Sequence, residues 1–282
     1  MSTGEEFRNL PEKDQEDYRD HGGKLVAAAR DHAIPIIFAP PLSVGGLNPL
    51  INGGTGFVLQ LPSGSFFAVT ASHVLSGYEK RLQEGEVLNW QVGNLLPFNP
   101  LERIAWRSAE SDRDQSLPPI EGGDRDCRDI VLFRLLPAEI QRLGPHCIIP
   151  APRQWPPRTP KEGEMVLLGG YPKALRAVDM LGASIGAGPC SVMLPVTTIG
   201  EGYFKCQIVL DDLISFDRGA LPDLNDDNSI AGMSGGPALL VADYYPVVGV
   251  ITGYVGRGFH LLRISTLNSV DQKDFRPLSA RE

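Results

Sequence analysis

Residues 221–241 read LPDLNDDNSIAGMSGGPALLV, and their reading decides the fold. A polar loop, 221–231, leads into Gly232-Met233-Ser234-Gly235-Gly236-Pro237, and an apolar run, ALLV, leaves it. Glycines on either side of a serine let the backbone turn tightly and bring amide N–H groups beside the hydroxyl, as oxyanion stabilisation requires. Ser234 reads as a nucleophile, with a plain Gly-Ser turn between two strands as the alternative.

Around this segment, short apolar runs recur between turn residues: EMVLLGGYP (164–172), PCSVMLPVTTI (189–199), GYFKCQIVLDDLI (202–214) and YPVVGVITGYVG (245–256). An earlier series, TGFVLQL (55–61), SFFAVTASHVL (65–75) and DIVLFRLL (129–136), has the same strand-like character. Between the two series, 145–164 carries six prolines in twenty residues. Proline cannot donate to a central ladder, so this segment reads as a connection rather than a sheet and as the main domain boundary. The chain divides into an N-terminal extension (1–33), a first β-barrel (34–150) and a second β-barrel (151–282) ending in a short tail. The spacing of the extension predicts a helix from Pro11 to Arg30 that Gly22 and Gly23 weaken or split. The fold class is all-β, two barrels in tandem behind a partly helical extension.

A serine needs a base to act as a nucleophile near neutral pH, and His73, at the end of FFAVTASHVL, is the candidate. His21 and His32 lie in the polar extension, His146 in the proline-rich connection and His260 in the last β-segment. Asp129 stands immediately before an apolar strand, where a carboxylate can be partly buried and still orient an imidazole. Its alternative is a strand-capping or solvated aspartate, with Asp124 and Asp126 as less well-placed competitors. The three candidates occur in the chain order His, Asp, Ser with wide separations, the order of the chymotrypsin-like enzymes.

TASHVL resembles the histidine motif of the trypsin/chymotrypsin-like serine peptidases, RDIVLFRL their aspartate motif and GMSGGP their serine motif. EGEMVLLGGYP is similar to the opening of the second barrel in the bacterial and housekeeping branches of that family, and the resemblance spans roughly residues 35 to 270. It implies two six-stranded antiparallel barrels with a triad of His73, Asp129 and Ser234 between them, and an oxyanion hole made by the amides of Gly232 and Ser234. It further implies that Thr252, Gly253 and Tyr254 edge the primary specificity pocket, pairing with the substrate as an added strand. Asn228 would lie near the pocket floor, with Gly258 and His260 on another wall. A neutral Asn228 argues against selection of Lys or Arg.

Two departures from secreted members stand out. Val74 follows His73 where a disulfide cysteine is common, and Met233 replaces the acidic residue that receives a new N-terminus in zymogen-activated members. Activation by that ion pair is therefore excluded, and the extension is expected to serve docking or packing.

A formal net charge of −8 and the lack of a basic run argue against nucleic acid and anionic membranes as partners. No apolar stretch approaches the ~20 residues of a membrane span, and the first twenty residues are charged where a signal peptide would be apolar, so the expected compartment is cytoplasmic. Cys127, Cys147, Cys190 and Cys206 are widely spaced, form no CxxC pair and read as buried free thiols. No metal or cofactor is expected. The expected activity is serine endopeptidase, with a protein or peptide substrate and room for a regulatory or recruiting protein partner. The alternative is a catalytically silent binding module or scaffold on the same fold. An esterase is a third reading, disfavoured by the chain order of the triad and the lack of an alternating β–α pattern.

Overall fold

The alternating runs of the first series fold into strands β1 (Ile34–Ala39), β2 (Asn52–Gln60), β3 (Phe66–Thr70), β4 (Asn89–Val92), β5 (Ile104–Arg107), β6 (Val131–Arg134) and β7 (Ile148–Pro150). The computed structural model describes residues 4–41, 52–93, 99–108, 129–144, 148–152, 155–178, 185–209, 230–255 and 261–275. The first sheet follows the order β4-β1-β2-β3-β6-β5, antiparallel throughout. Among the described residues β4 and β5 do not pair, so this sheet curls into a half-barrel, consistent with the expected double-barrel class.

One correction concerns the proline-rich connection, part of which is sheet. β7 adds to β2 in parallel, Val58 opposite Ile148, on the edge left vacant beyond the end of β1. Ile149 is buried there, and Pro150 sits at the strand's end, where its missing N–H costs least.

The second series closes into a barrel of β8 (Met165–Gly170), β11 (Cys190–Gly200), β12 (Tyr203–Gln207), β15 (Leu261–Thr266), β14 (Val247–Val255) and β13 (Pro237–Leu240), ordered β11-β12-β15-β14-β13-β8 and joined back from β8 to β11. A short ribbon of β9 (Arg176–Val178) and β10 (Ile185–Ala187) stands apart.

Each sheet has its own core. In the first, Phe38, Tyr78, Trp90 and Phe133 form a ring cluster, with Phe38 stacked on Trp90 at 5.6 Å and Tyr78 edge-on to it at 5.1 Å. The second core is mainly aliphatic, built from Val166, Leu168, Ile251, Leu262 and Ile264 around Phe204. Cys190 and Cys206 are both buried, and burial pushes the Cys206 thiol up to about 12; Cys127 and Cys147 lie outside the described residues.

A third apolar cluster joins the sheets, bringing Phe57, Val69 and Leu132 of the first against Leu167, Leu239 and Val250 of the second. Val26 and Ala29 of the N-terminal region belong to the same cluster. Helix α1 (Gly4–Arg8) is followed by α2 (Glu12–His32), which runs unbroken through Gly22 and Gly23. The helix cost of about 1 kcal/mol per glycine is outweighed by tertiary packing: Gly22, Val26 and Ala29 are buried. Ala29 lies against Gly169 of β8, where a Cβ would meet the Ala29 carbonyl.

The fold is thus mostly β, with a half-barrel, a closed barrel and N-terminal helices. Among the described residues no helix is long and apolar enough to cross a membrane.

Candidate active site

His73 enters the site because β3 passes directly into a helix, α3 (Ser72–Gln83), with His73 in its first turn. Val74, Leu75 and Tyr78 anchor α3 in the first sheet's core. Arg107 of β5 runs along the helix, its Nε donating to Ser72 Oγ at 2.8 Å, Nη2 to Ser76 Oγ at 2.8 Å and Nη1 to the Glu79 carboxylate at 3.0 Å. Residues 72, 76 and 79 share one helix face, so a single guanidinium fixes the roll of the helix that carries His73.

Asp129 lies at the mouth of β6 and meets α3 twice through the backbone. Its carbonyl accepts from Ser72 N at 3.1 Å, and its Oδ1 accepts from His73 N at 2.8 Å. The second carboxylate oxygen, Oδ2, is 2.5 Å from His73 Nδ1. An ionised carboxylate only accepts, so the contact places a proton on Nδ1 and leaves Nε2 as the acceptor nitrogen of a neutral ring. The Asp129 side chain is 11% exposed and the His73 side chain 36%, so the carboxylate is sheltered while the ring reaches solvent. Behind them, Ser265 Oγ of β15 accepts from Asp129 N at 3.4 Å and shares a 3.1 Å hydrogen bond with Thr252 Oγ1.

Ser234 sits in the tight loop that precedes β13. Gly232 and Gly235 have φ of 98° and 95°, left-handed values that a side chain would strain. At Gly235 a Cβ would also collide with Thr55 O and Thr70 Oγ1 of the first sheet. Every carbonyl from Ala231 to Ser234 is held. Ala231 O accepts from Lys173 N at 2.5 Å, Met233 O from Gly236 N at 2.9 Å and Ser234 O from Thr55 N at 2.8 Å. Gly232 O accepts from Thr55 Oγ1 at 2.7 Å. Peptide units are planar and trans, so each fixed carbonyl sends the next N–H the opposite way. Among the described residues the Ser234 amide donates to no protein group. Met233 is buried in the second barrel's core and packs on Gly170.

His73, Gly232 and Ser234 line two neighbouring cavities, and no hydrogen bond links His73 to Ser234. One cavity, about 280 Å³, continues over Ile230, Ile251, Gly253, Tyr254 and Leu262. The other, about 310 Å³, runs past Phe38, Asn52, Gly53, Gly77 and Arg81. Of the residues expected at the specificity pocket, Gly253 and Tyr254 border the first cavity with the histidine and serine. Thr252 does not border it: its side chain is buried and turned toward Ser265. Asn228, Gly258 and His260 lie outside the described residues. Among the described residues no group of three or more His, Cys, Asp or Glu is placed to hold a metal.

Sequence reading missed Thr55, Arg107 and Ser265. Arg107 had a faint signal in the Ser72, Ser76, Glu79 spacing of a helix face. Thr55 and Ser265 had none, since their partners lie far away in the chain.

No family model and no curated protein sequence matches the chain. Among solved structures it is similar to the active form of the Rv3671c protease from M. tuberculosis, with 18% identity, 87% of this chain and 80% of that chain covered, and a TM-score of 0.40. It is also similar to the serine endoprotease from Yersinia pestis, with 14% identity, 86% and 62% coverage and a TM-score of 0.44. A third structure, the thermostable serine protease AL20 from an extremophilic microorganism, gives 13% identity, 90% and 100% coverage and a TM-score of 0.45.

Proposed function

We propose that this chain is a serine endopeptidase in which Ser234 attacks the scissile carbonyl, His73 moves the proton and Asp129 orients His73. The observation that carries the reading is the contact of His73 Nδ1 with a sheltered Asp129 carboxylate beside a serine whose loop is pinned at each carbonyl.

In this mechanism His73 Nε2 takes the proton of Ser234 Oγ as Oγ bonds to the substrate carbonyl carbon. The carbonyl π electrons move onto oxygen, which becomes the oxyanion. That charge is met by the amides of Ser234 and Gly232, a contribution on the order of 3 kcal/mol per well-placed donor. The imidazolium, held by Asp129, then protonates the leaving amine as the C–N bond breaks and an acyl-enzyme forms. Water, deprotonated by His73, attacks that ester, and the serine recovers its proton as the ester C–O bond breaks.

Gly253 and Tyr254 would pair with substrate backbone on the approach side, next to the cavity over Ile230 and Leu262. The extension (1–33), first barrel (34–150) and second barrel (151–282) would act as one catalytic unit in a cytoplasmic setting, with access governed by a recruiting partner.

The second reading is a silent binding module on the same fold, and one observation favours it: His73 and Ser234 share two cavities but no hydrogen bond. Such bonds often tighten only when substrate arrives. The test is incubation with a denatured-protein peptide mixture and mass spectrometry of new termini. New internal termini from the parent but not from Ser234→Ala support the peptidase; identical, uncut mixtures for both leave the binding module.

A further inference from the structure

Thr55 of β2 is fully buried, and each of its polar groups bears on the serine loop or on the residues that hold it. Its amide donates to Ser234 O at 2.8 Å and its hydroxyl donates to Gly232 O at 2.7 Å. The same hydroxyl accepts from Tyr171 N at 2.8 Å, just past the end of β8, and Thr55 O accepts from Thr70 Oγ1 at 2.6 Å. One residue of the first sheet thus grips both ends of the Gly232-Met233-Ser234 segment and, through Tyr171, ties it to the chain just beyond β8.

The grip matters because Gly232 is the loop's soft point. A glycine with φ of 98° has several accessible backbone states, and rotation of the peptide units around it would re-aim the neighbouring amides. Fixing Gly232 O on one side and Ser234 O on the other removes that freedom in advance of substrate. Oxyanion stabilisation depends on such prior orientation, and a displacement of about 1 Å can cost about a hundredfold in rate.

We infer that the Thr55 hydroxyl is a positioning residue for the oxyanion hole: it holds the Gly232–Ser234 backbone from the opposite sheet without touching substrate. The inference rests on the serine-peptidase reading for its catalytic part, while the hold on the loop stands by itself and is measured separately.

The experiment compares Thr55→Val, which keeps shape and loses the hydroxyl, with Thr55→Ser, which keeps the hydroxyl. Phosphonylation of Ser234 by a fluorophosphonate is resolved into a maximal rate and a half-saturating concentration, and amide exchange is followed at Met233 and Gly235. Thr55→Val should lower the maximal rate about a hundredfold, leave the half-saturating concentration within about threefold, and speed both amides; Thr55→Ser should restore most of the rate. A parental maximal rate in Thr55→Val, unchanged amide exchange, or a Thr55→Ser variant as slow as Thr55→Val would overturn the inference. If the parent itself is not labelled at Ser234, it is the peptidase reading that has failed, and exchange at Met233 and Gly235 alone decides whether Thr55 holds the loop. Should Thr55→Val not fold, Thr55→Ala carries the same comparison.

Discussion

On one side of the site, His73 and Asp129 are fixed largely by the first sheet's own elements: Ser72 N and His73 N both reach back to Asp129, and Arg107 locks the helix between them. On the other side, the Ser234 loop takes its contacts from both halves, with Thr55 on one face and Lys173 and Ile251 on the other, while Thr70 and Tyr171 hold Thr55 in place. A locally built pair should survive small shifts between the sheets. A loop built across the interface should register them, so distant changes are expected to act through the serine before they act through the histidine.

The largest effect sharpens this contrast by asking whether the two sides work as one. Ser234→Ala and His73→Ala should each remove about a millionfold of the turnover, and the double variant little more, because groups that act as a unit are not additive. Steady-state hydrolysis of a cleaved peptide checks this, and multiplicative losses would mean independent sites. Asp129→Asn comes next. It keeps the shape but can donate to Nδ1, favouring the wrong tautomer, and should cost about ten-thousandfold in kcat with little change in melting temperature.

A smaller effect probes the interface itself. Gly169 carries Ala29 of the N-terminal helix on one side and Gly236 of the serine loop on the other, where a Cβ at Gly236 would meet Gly169 O. Gly169→Ala should cost about 1–3 kcal/mol of stability through overpacking and slow labelling of Ser234, while the His73–Asp129 geometry is kept. Denaturant unfolding and labelling kinetics read the two; an unchanged midpoint would show that the helix does not press on β8. The same packing means that removing residues 1–33 should destabilise the fold, since Val26 and Ala29 fill the core shared by both sheets.

The smallest effect lies at the entry to the second barrel. Glu164 accepts from Arg158 Nη1 at 2.7 Å and from Lys161 N at 2.7 Å, and chiefly the Arg158 hydrogen bond draws its carboxyl from the ordinary 4.5 down to about 2. A carboxyl lowered on folding stabilises the fold above the unfolded value, and the gain is lost as pH falls toward 2. Glu164→Gln should therefore flatten the loss of stability between about pH 4.5 and 2, by no more than about 1 kcal/mol at so exposed a pair. Melting curves across that range test it, and identical acid profiles would assign the acid sensitivity elsewhere.

The His-Asp-Ser spacing and the strand-rich halves were legible because each is carried by a local pattern: an apolar run before His73, another after Asp129, glycines around Ser234. Three features were not. Unbroken α2 depends on Val26 and Ala29 finding β8, which outweighs the local cost of Gly22 and Gly23. β7 depends on a vacant edge of β2, invisible from its prolines. Thr55 looks like an ordinary β-branched strand residue until its hydroxyl is found on Gly232, 177 positions away. Periodicity records which face a residue presents and not which distant group will meet it.

In the proposed mechanism His73, oriented by Asp129, makes Ser234 a nucleophile. Its most direct test is treatment of the native chain and of His73→Ala with a fluorophosphonate, followed by peptide mapping of the modified residue. Labelling of the native chain at Ser234 alone, and its loss in a folded His73→Ala variant, is the expected result; no label, a label on another serine, or an equal rate in both chains would contradict the claim.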